Sequence, residues 1–174
     1  MKKVFGLVQL LSYLTSALTA SAVLTATASA DENCTKDKKK ALCEEAVVKA
    51  TVDRACKVLG EQGKDGIAEI KKLRFDCCGE PDYVWIQTFE PKMIMHPVKA
   101  QLDGQDLSSN VDPDGKKLFV EFAKSAKATP SGGWVKYKWT KLGESDPTPK
   151  KSWIKKCKVK GETEDWIAGS GTWY

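Results

Sequence analysis

The sequence predicts an α+β fold, with a long N-terminal helix packed on a central five-stranded antiparallel sheet. Three observations carry that reading. Apolar residues recur at three- and four-residue steps up to about residue 73, the spacing of one helix face. Beyond that point the apolar runs are short, aromatic and β-branched, and Gly and Pro bound them, as strands are bounded. Strands follow strands with a single returning helix, so no βαβ alternation builds a parallel sheet. At 174 residues the chain is one domain's worth, and 41% hydrophobic with 29% charged residues fits a globular protein rather than a disordered one.

The first thirty residues read as an export signal. Met1, Lys2 and Lys3 make a short positive start, residues 4–24 hold no acid and no base, and Ala28, Ser29 and Ala30 form a small-x-small cleavage site before Asp31 and Glu32. Thr15, Ser16, Thr19, Ser21, Thr25 and Thr27 make this stretch a poor membrane anchor. Cleavage near Ala30 leaves residues 31–174 as one exported domain, periplasmic or secreted. It also removes Lys2 and Lys3, so 26 of the 28 bases face 23 acids, a net charge of +3. So small a surplus argues against a nucleic-acid partner, which needs a concentrated basic face.

Within the mature chain, residues 31–73 are expected to be helical and 74–174 to hold the sheet and its pocket. Ala41, Leu42, Ala46, Val47, Ala50, Val58 and Leu59 mark the helical stripe, and Gly60, Gly63 and Gly66 interrupt it. A long helix to about Leu59 and a shorter one at 67–73 follow. Thr35 is placed to cap the first N–H groups, with Asp37 in the first turn. Residues 83–87 and 92–96, the latter stopped by Pro97, are the first two strands. Gly104 and the Asp-Pro-Asp-Gly turn at 112–115 punctuate a surface loop. That turn lacks the remaining spacing and closing Glu of a calcium loop and reads as a plain turn. Leu118, Phe119, Phe122 and Ala126 sit at helical spacing. Residues 134–140 alternate as a third strand, Pro147 and Pro149 mark a loop, and 152–160 with 165–174 form a closing hairpin about Gly161.

Six cysteines in an exported chain read as three disulfides. Neither C-x-x-C nor C-x-x-C-H occurs and there is one His, so no metal site and no cofactor is expected. Adjacent Cys77 and Cys78 do not readily bridge each other. Cys43 and Cys56 on one helix would stand about 20 Å apart. Fifteen connectivities are formally open. The pattern ranked first joins Cys157 to Cys77 or Cys78, Cys34 to Cys43, and Cys56 to the remaining vicinal cysteine. A redox role for Cys77-Cys78 beside Arg74 is the rival.

On the first strand, Val84 and Ile86 share an aliphatic face suited to the helix. Tyr83, Trp85 and Gln87 share the other, mixing apolar bodies with hydrogen-bonding tips as a ligand wall does, though ordinary core would use them too. Tyr137 and Trp139 repeat that pair two residues apart. His96 either fixes the turn into Pro97 or contacts a ligand. A buried carboxylate ligand would need a cation, and Lys92 and Lys150 adjoin strands.

Six pieces, in order, resemble the single Cache domain, the extracytoplasmic PAS-like sensor module of chemoreceptors and histidine kinases. They are YVWIQ (83–87), MIMHP (93–97), LDGQDLSS and DPDGKKLFVEF (within 102–122), GGWVKYKW (132–139), PKKSWIKK (149–156) and WIAGSGTWY (166–174). The resemblance implies a PAS-like fold with a small-ligand pocket on the sheet face away from the long helix. Short carboxylates are frequent ligands in the family. It places Tyr83, Trp85, Gln87, Met95, His96, Tyr137 and Trp139 around that pocket, with Lys150 or Lys92 supplying charge. A membrane receptor or kinase would be the partner, and the long helix could pair two copies as a homodimer unless its stripe is spent on the sheet. Full receptors continue into a second membrane helix and an output domain, whereas this chain stops at Tyr174 and is expected to be a stand-alone sensor. The family also does not require the six cysteines. A binding domain, not an enzyme, is the reading, and hydrolase chemistry in particular has little support, since no G-x-S-x-G elbow is present. The alternatives are a secreted thiol–disulfide protein using Cys77-Cys78 and a disulfide-stabilised structural domain without a ligand.

Overall fold

The computed structural model describes residues 45–77 and 80–174. Helix α1 (Glu45–Gln62) passes through a 3-10 turn (Gly63–Gly66) into the single turn of α2 (Ile67–Ile70). Strands β1 (Arg74–Cys77), β2 (Glu80–Gln87) and β3 (Met93–Met95) precede helix α3 (Leu118–Ala128). Strands β4 (Gly133–Thr140), β5 (Pro147–Cys157) and β6 (Trp166–Trp173) follow it. Every pairing is antiparallel, and the order is β1-β2-β6-β5-β4 with β3 also on β2. Because β6 takes one edge of β2, β1 and β3 share the other, along its first and second halves. The sheet is therefore five positions wide, as the sequence predicts.

The strands sort their residues by type between two covered sides. Val84 and Ile86 of β2, Trp166 and Ala168 of β6 and Cys157 of β5 pack with Val52, Ala55, Val58 and Leu59 of α1. Tyr83 and Trp85 of β2, Ile154 of β5, Ile167 of β6 and Tyr137 of β4 pack with Leu118, Phe119 and Phe122 of α3. Full burial of each large apolar side chain contributes about 1.5–3 kcal/mol, so packing rather than propensity holds both helices. The buried residues of α1, Val48, Val52, Ala55, Val58 and Leu59, are spent on packing within its own chain.

Helix α1 is tied to one strand along its length. Glu45 pairs with Lys151 at 2.7 Å and Asp53 with Lys155 at 2.5 Å. Cys56 is bonded to Cys157, and the Lys160 N–H donates to the Leu59 carbonyl at 3.0 Å. Near the helix start, the Lys49 ammonium lies 4.7 Å from the Trp153 ring and 5.7 Å from that of Trp134.

Three expectations are corrected. Cys157 pairs with Cys56, not with Cys77 or Cys78, because Cys56 falls beside the sheet-facing stripe of α1 and Cys157 on the α1 side of β5, with Cα atoms 4.9 Å apart. Cys34, Cys43 and Cys78, the Thr35 cap and the export signal lie outside the described residues. Strand β1 was not expected: four residues, Arg-Phe-Asp-Cys, are too few to show a period. Pro147 and Pro149 stand inside β5 rather than in a loop. They occupy its start, where β4 pairs with them but the β6 register begins only at Lys150, so their missing N–H groups break little of the ladder.

The Cys56–Cys157 bond spans a sequence separation of 101. Replacing both cysteines with Ala is expected to lower the unfolding free energy by about 2–4 kcal/mol, read as an earlier midpoint in a urea titration. An unchanged midpoint would show that packing alone fixes α1.

Candidate ligand-binding site

On the α3 side of the sheet, Tyr83 and Trp85 of β2, His96 after β3, Tyr137 and Trp139 of β4 and Leu118, Phe119 and Phe122 of α3 enclose a cavity. The Trp85 ring stacks on Phe122 at 4.8 Å, Phe122 meets Tyr137 edge-on at 5.0 Å, and Phe119 meets Trp139 edge-on at 6.0 Å. These are favourable offset and edge geometries. Strand β6 leaves room for them by having no side chain at two positions. A Cβ on Gly169 would lie 2.2 Å from the Trp85 ring, and one on Gly171 would lie 2.3 Å from Ser152 Oγ. The enclosed space admits the centre of a water-sized sphere over about 10 Å³, room for one water. Anything larger must move a wall.

The polar tips of the wall are committed in pairs. The Trp139 indole N–H donates to Tyr83 Oη at 3.0 Å, and Tyr137 Oη shares a hydrogen bond with Ser152 Oγ at 2.8 Å. Burial pushes both tyrosine hydroxyls well above their usual range, helped at Tyr83 by the Asp82 charge, so both stay neutral phenols. His96 Nδ1 accepts the backbone N–H groups of Val98 (3.3 Å) and Lys99 (2.9 Å), and its own backbone N–H donates to Asp103 Oδ1 (2.7 Å). With Nδ1 accepting, the ring proton sits on Nε2, a donor on a cavity-lining residue. Burial, reinforced by the charges of Lys150 and Lys99, holds the imidazole pKa down at about 3.

The structure brings Tyr83, Trp85, His96, Tyr137 and Trp139 together around this one space. Lys150 is buried next to it: its ammonium sits 3.2 Å from Asp82 Oδ1, 3.7 Å from the Trp173 ring and 4.6 Å from that of Tyr83. Gln87 is buried on the same side but does not line the cavity; its Nε2 donates to the Phe119 carbonyl at 3.0 Å, tying β2 to the first turn of α3. Met95 pairs with Ile86 and packs toward α1, while Met93, opposite Gln87, takes the α3 side. Lys92 is exposed, bridged through its backbone to Asp106. The 112–115 turn is held by the buried Asp112 carboxylate. It accepts N–H groups from Asp114 (3.0 Å), Lys116 (2.9 Å) and Lys138 of β4 (3.1 Å). Two contributions were missed by sequence reasoning. The α3 residues were recognised as a helix stripe but not as a wall. Lys99 carried only one signal, its place three residues after the sole histidine. Its ammonium rests 4.1 Å from the Trp139 ring centroid.

A family profile of the Cache domain matches residues 29–174. The chain belongs to the Cache domain family. Two solved structures with TM-scores of 0.61 each cover 74% of this chain. One is a periplasmic sensor domain of a chemotaxis protein, 35% identical and matched over 93% of its length. The other comes from work on carboxylic acid recognition by a Cache chemosensory domain, 32% identical and matched over 91% of its length. Among curated proteins, the methyl-accepting chemotaxis protein McpP of Pseudomonas putida is 43% identical over 104 residues, and the sensor histidine kinase MctS of Rhizobium johnstonii is 28% identical over 95. These matches cover 60% and 55% of this chain but only 18% and 19% of those longer proteins.

The depressed His96 pKa sets a pH dependence. An unfolded imidazole titrates near 6.5, whereas the folded one stays neutral down to about 3. Between these values the unfolded chain binds more protons, so stability is lost as the pH falls. The chain has one His, so the window from pH 6.5 to 5, above the carboxylate range, reports on it. Stability is expected to drop there by up to about 1.4 kcal/mol per pH unit. The variant His96→Gln is expected to flatten that slope in urea titrations at each pH.

Proposed function

We propose that this Cache domain is an extracytoplasmic sensor that binds a small organic acid in the α3-side cavity and passes its occupancy to a membrane receptor or kinase. The observation that carries the reading is the cavity itself: an aromatic enclosure with the neutral His96 ring in its wall and the Lys150 ammonium beside it. Apolar walls with a few fixed polar groups are how small-molecule sites combine affinity with orientation. The solved structure from work on carboxylic acid recognition supports the ligand class, and the chemotaxis and kinase relatives support the coupling and the location outside the cytoplasm.

The small volume supports a sensing role. A ligand larger than water must move a wall to enter, so occupancy and conformation are linked, and the ligand shifts the domain toward the opened arrangement by its differential affinity.

A thermal-shift titration with acetate, propionate and butyrate tests this. A ligand at one hundred times its Kd stabilises the folded state by about 2.7 kcal/mol. At least one of the three acids is expected to raise the melting temperature of the wild type and to have no effect on Trp139→Ala. Equal stabilisation of that variant would move the site elsewhere.

A further inference from the structure

Two ammonium groups lie close to the cavity, and their surroundings differ. Lys150 is buried against Asp82, so its charge already faces a carboxylate. Lys99 is half-buried and has no carboxylate partner among the described residues; what its ammonium touches is the face of Trp139. A ring face compensates a cation only in part. The backbone of Lys99 is fixed where it matters. Its N–H donates to His96 Nδ1, its carbonyl accepts the N–H of Leu102 at 3.0 Å, and Asp103, the acid of this loop, is engaged by the His96 N–H. The His96 ring lies 6.0 Å from the same indole, so imidazole and ammonium are both neighbours of Trp139.

We propose that Lys99 is the residue that receives the carboxylate of the ligand. This role rests on the reading of the cavity as an organic-acid site, and it adds the orientation. The carboxylate lies at the 97–103 loop between the Lys99 ammonium and the His96 Nε2–H. The alkyl end points at Phe119, Phe122 and Trp85. Lys150 then acts on the potential of the site without contacting the acid, because its partner is Asp82. Partial burial lowers the Lys99 pKa.

Isothermal titration calorimetry of the whole chain with propionate and with its uncharged analogue propionamide tests this. Lys99→Met keeps the stem and the backbone N–H but loses the charge. It is expected to bind propionate about 10- to 150-fold more weakly than the wild type, the range of a hydrogen bond to a charged group. Its affinity for propionamide and its melting temperature without ligand should match the wild type. Propionate bound by Lys99→Met as tightly as by the wild type would overturn the role of Lys99 and leave the cavity assignment standing. A wild type that does not distinguish propionate from propionamide would overturn it as well. A wild type that binds none of acetate, propionate and butyrate would instead overturn the organic-acid reading, and the role of Lys99 with it.

Discussion

Everything in this domain depends on the covering of both faces of the sheet. A strand sends alternate side chains to opposite sides, so each central strand must satisfy two different neighbours at once. Here the two neighbours divide the work. The α1 side is aliphatic and is fastened by ion pairs, a disulfide and a backbone hydrogen bond. The α3 side is aromatic, with hydroxyls, an imidazole and an ammonium among the rings. Strand β5 belongs to both. Lys151, Lys155 and Cys157 hold α1, while Lys150 and Ser152 stand beside the cavity residues Tyr83 and Tyr137. Surface ion pairs contribute little, so the covalent link and the buried stripe do most of the fastening. A change in the cavity that displaces β5 would carry α1 with it.

The polar groups of the cavity side are tolerable because nearly every one has a partner. Buried polar groups without partners cost about 1–3 kcal/mol each, and a buried charge costs more. Trp139 is bonded to Tyr83, Tyr137 to Ser152, His96 to the turn behind it and Lys150 to Asp82. Among the described residues some groups stand apart, Thr148 Oγ1 among them. The Oε1 atom of Gln87 is buried without a partner, away from the cavity. The Lys99 ammonium lies over the Trp139 ring and has no carboxylate partner among the described residues. The network fixes the shape of the wall.

Much of this was legible in the sequence because alternation is a local signal. Val84 and Ile86 against Tyr83, Trp85 and Gln87 announced which face takes the helix. What was not legible depends on how elements meet. The partner of Cys157 follows from which residues of α1 face the sheet, and the 55–56 edge of that stripe is set by packing. The division of Met93 and Met95 between the two sides follows from the register with β2. Lys92 and Lys150 looked alike in the sequence, yet one is exposed and the other fully buried, because only Lys150 is flanked by strands on both edges. Lys99 was one lysine among many until the turn after His96 placed it over Trp139.

The six tryptophans make the central claim directly measurable, since they fall on both sides of the sheet. Trp85 and Trp139 wall the cavity, and Trp134 and Trp153 pack at the start of α1. In a nitrogen–proton correlation spectrum of the labelled protein, propionate is expected to move the indole resonances of Trp85 and Trp139 and to leave those of Trp134 and Trp153 in place. Shifts confined to Trp134 and Trp153, with Trp85 and Trp139 unmoved, would contradict a ligand site on the α3 side.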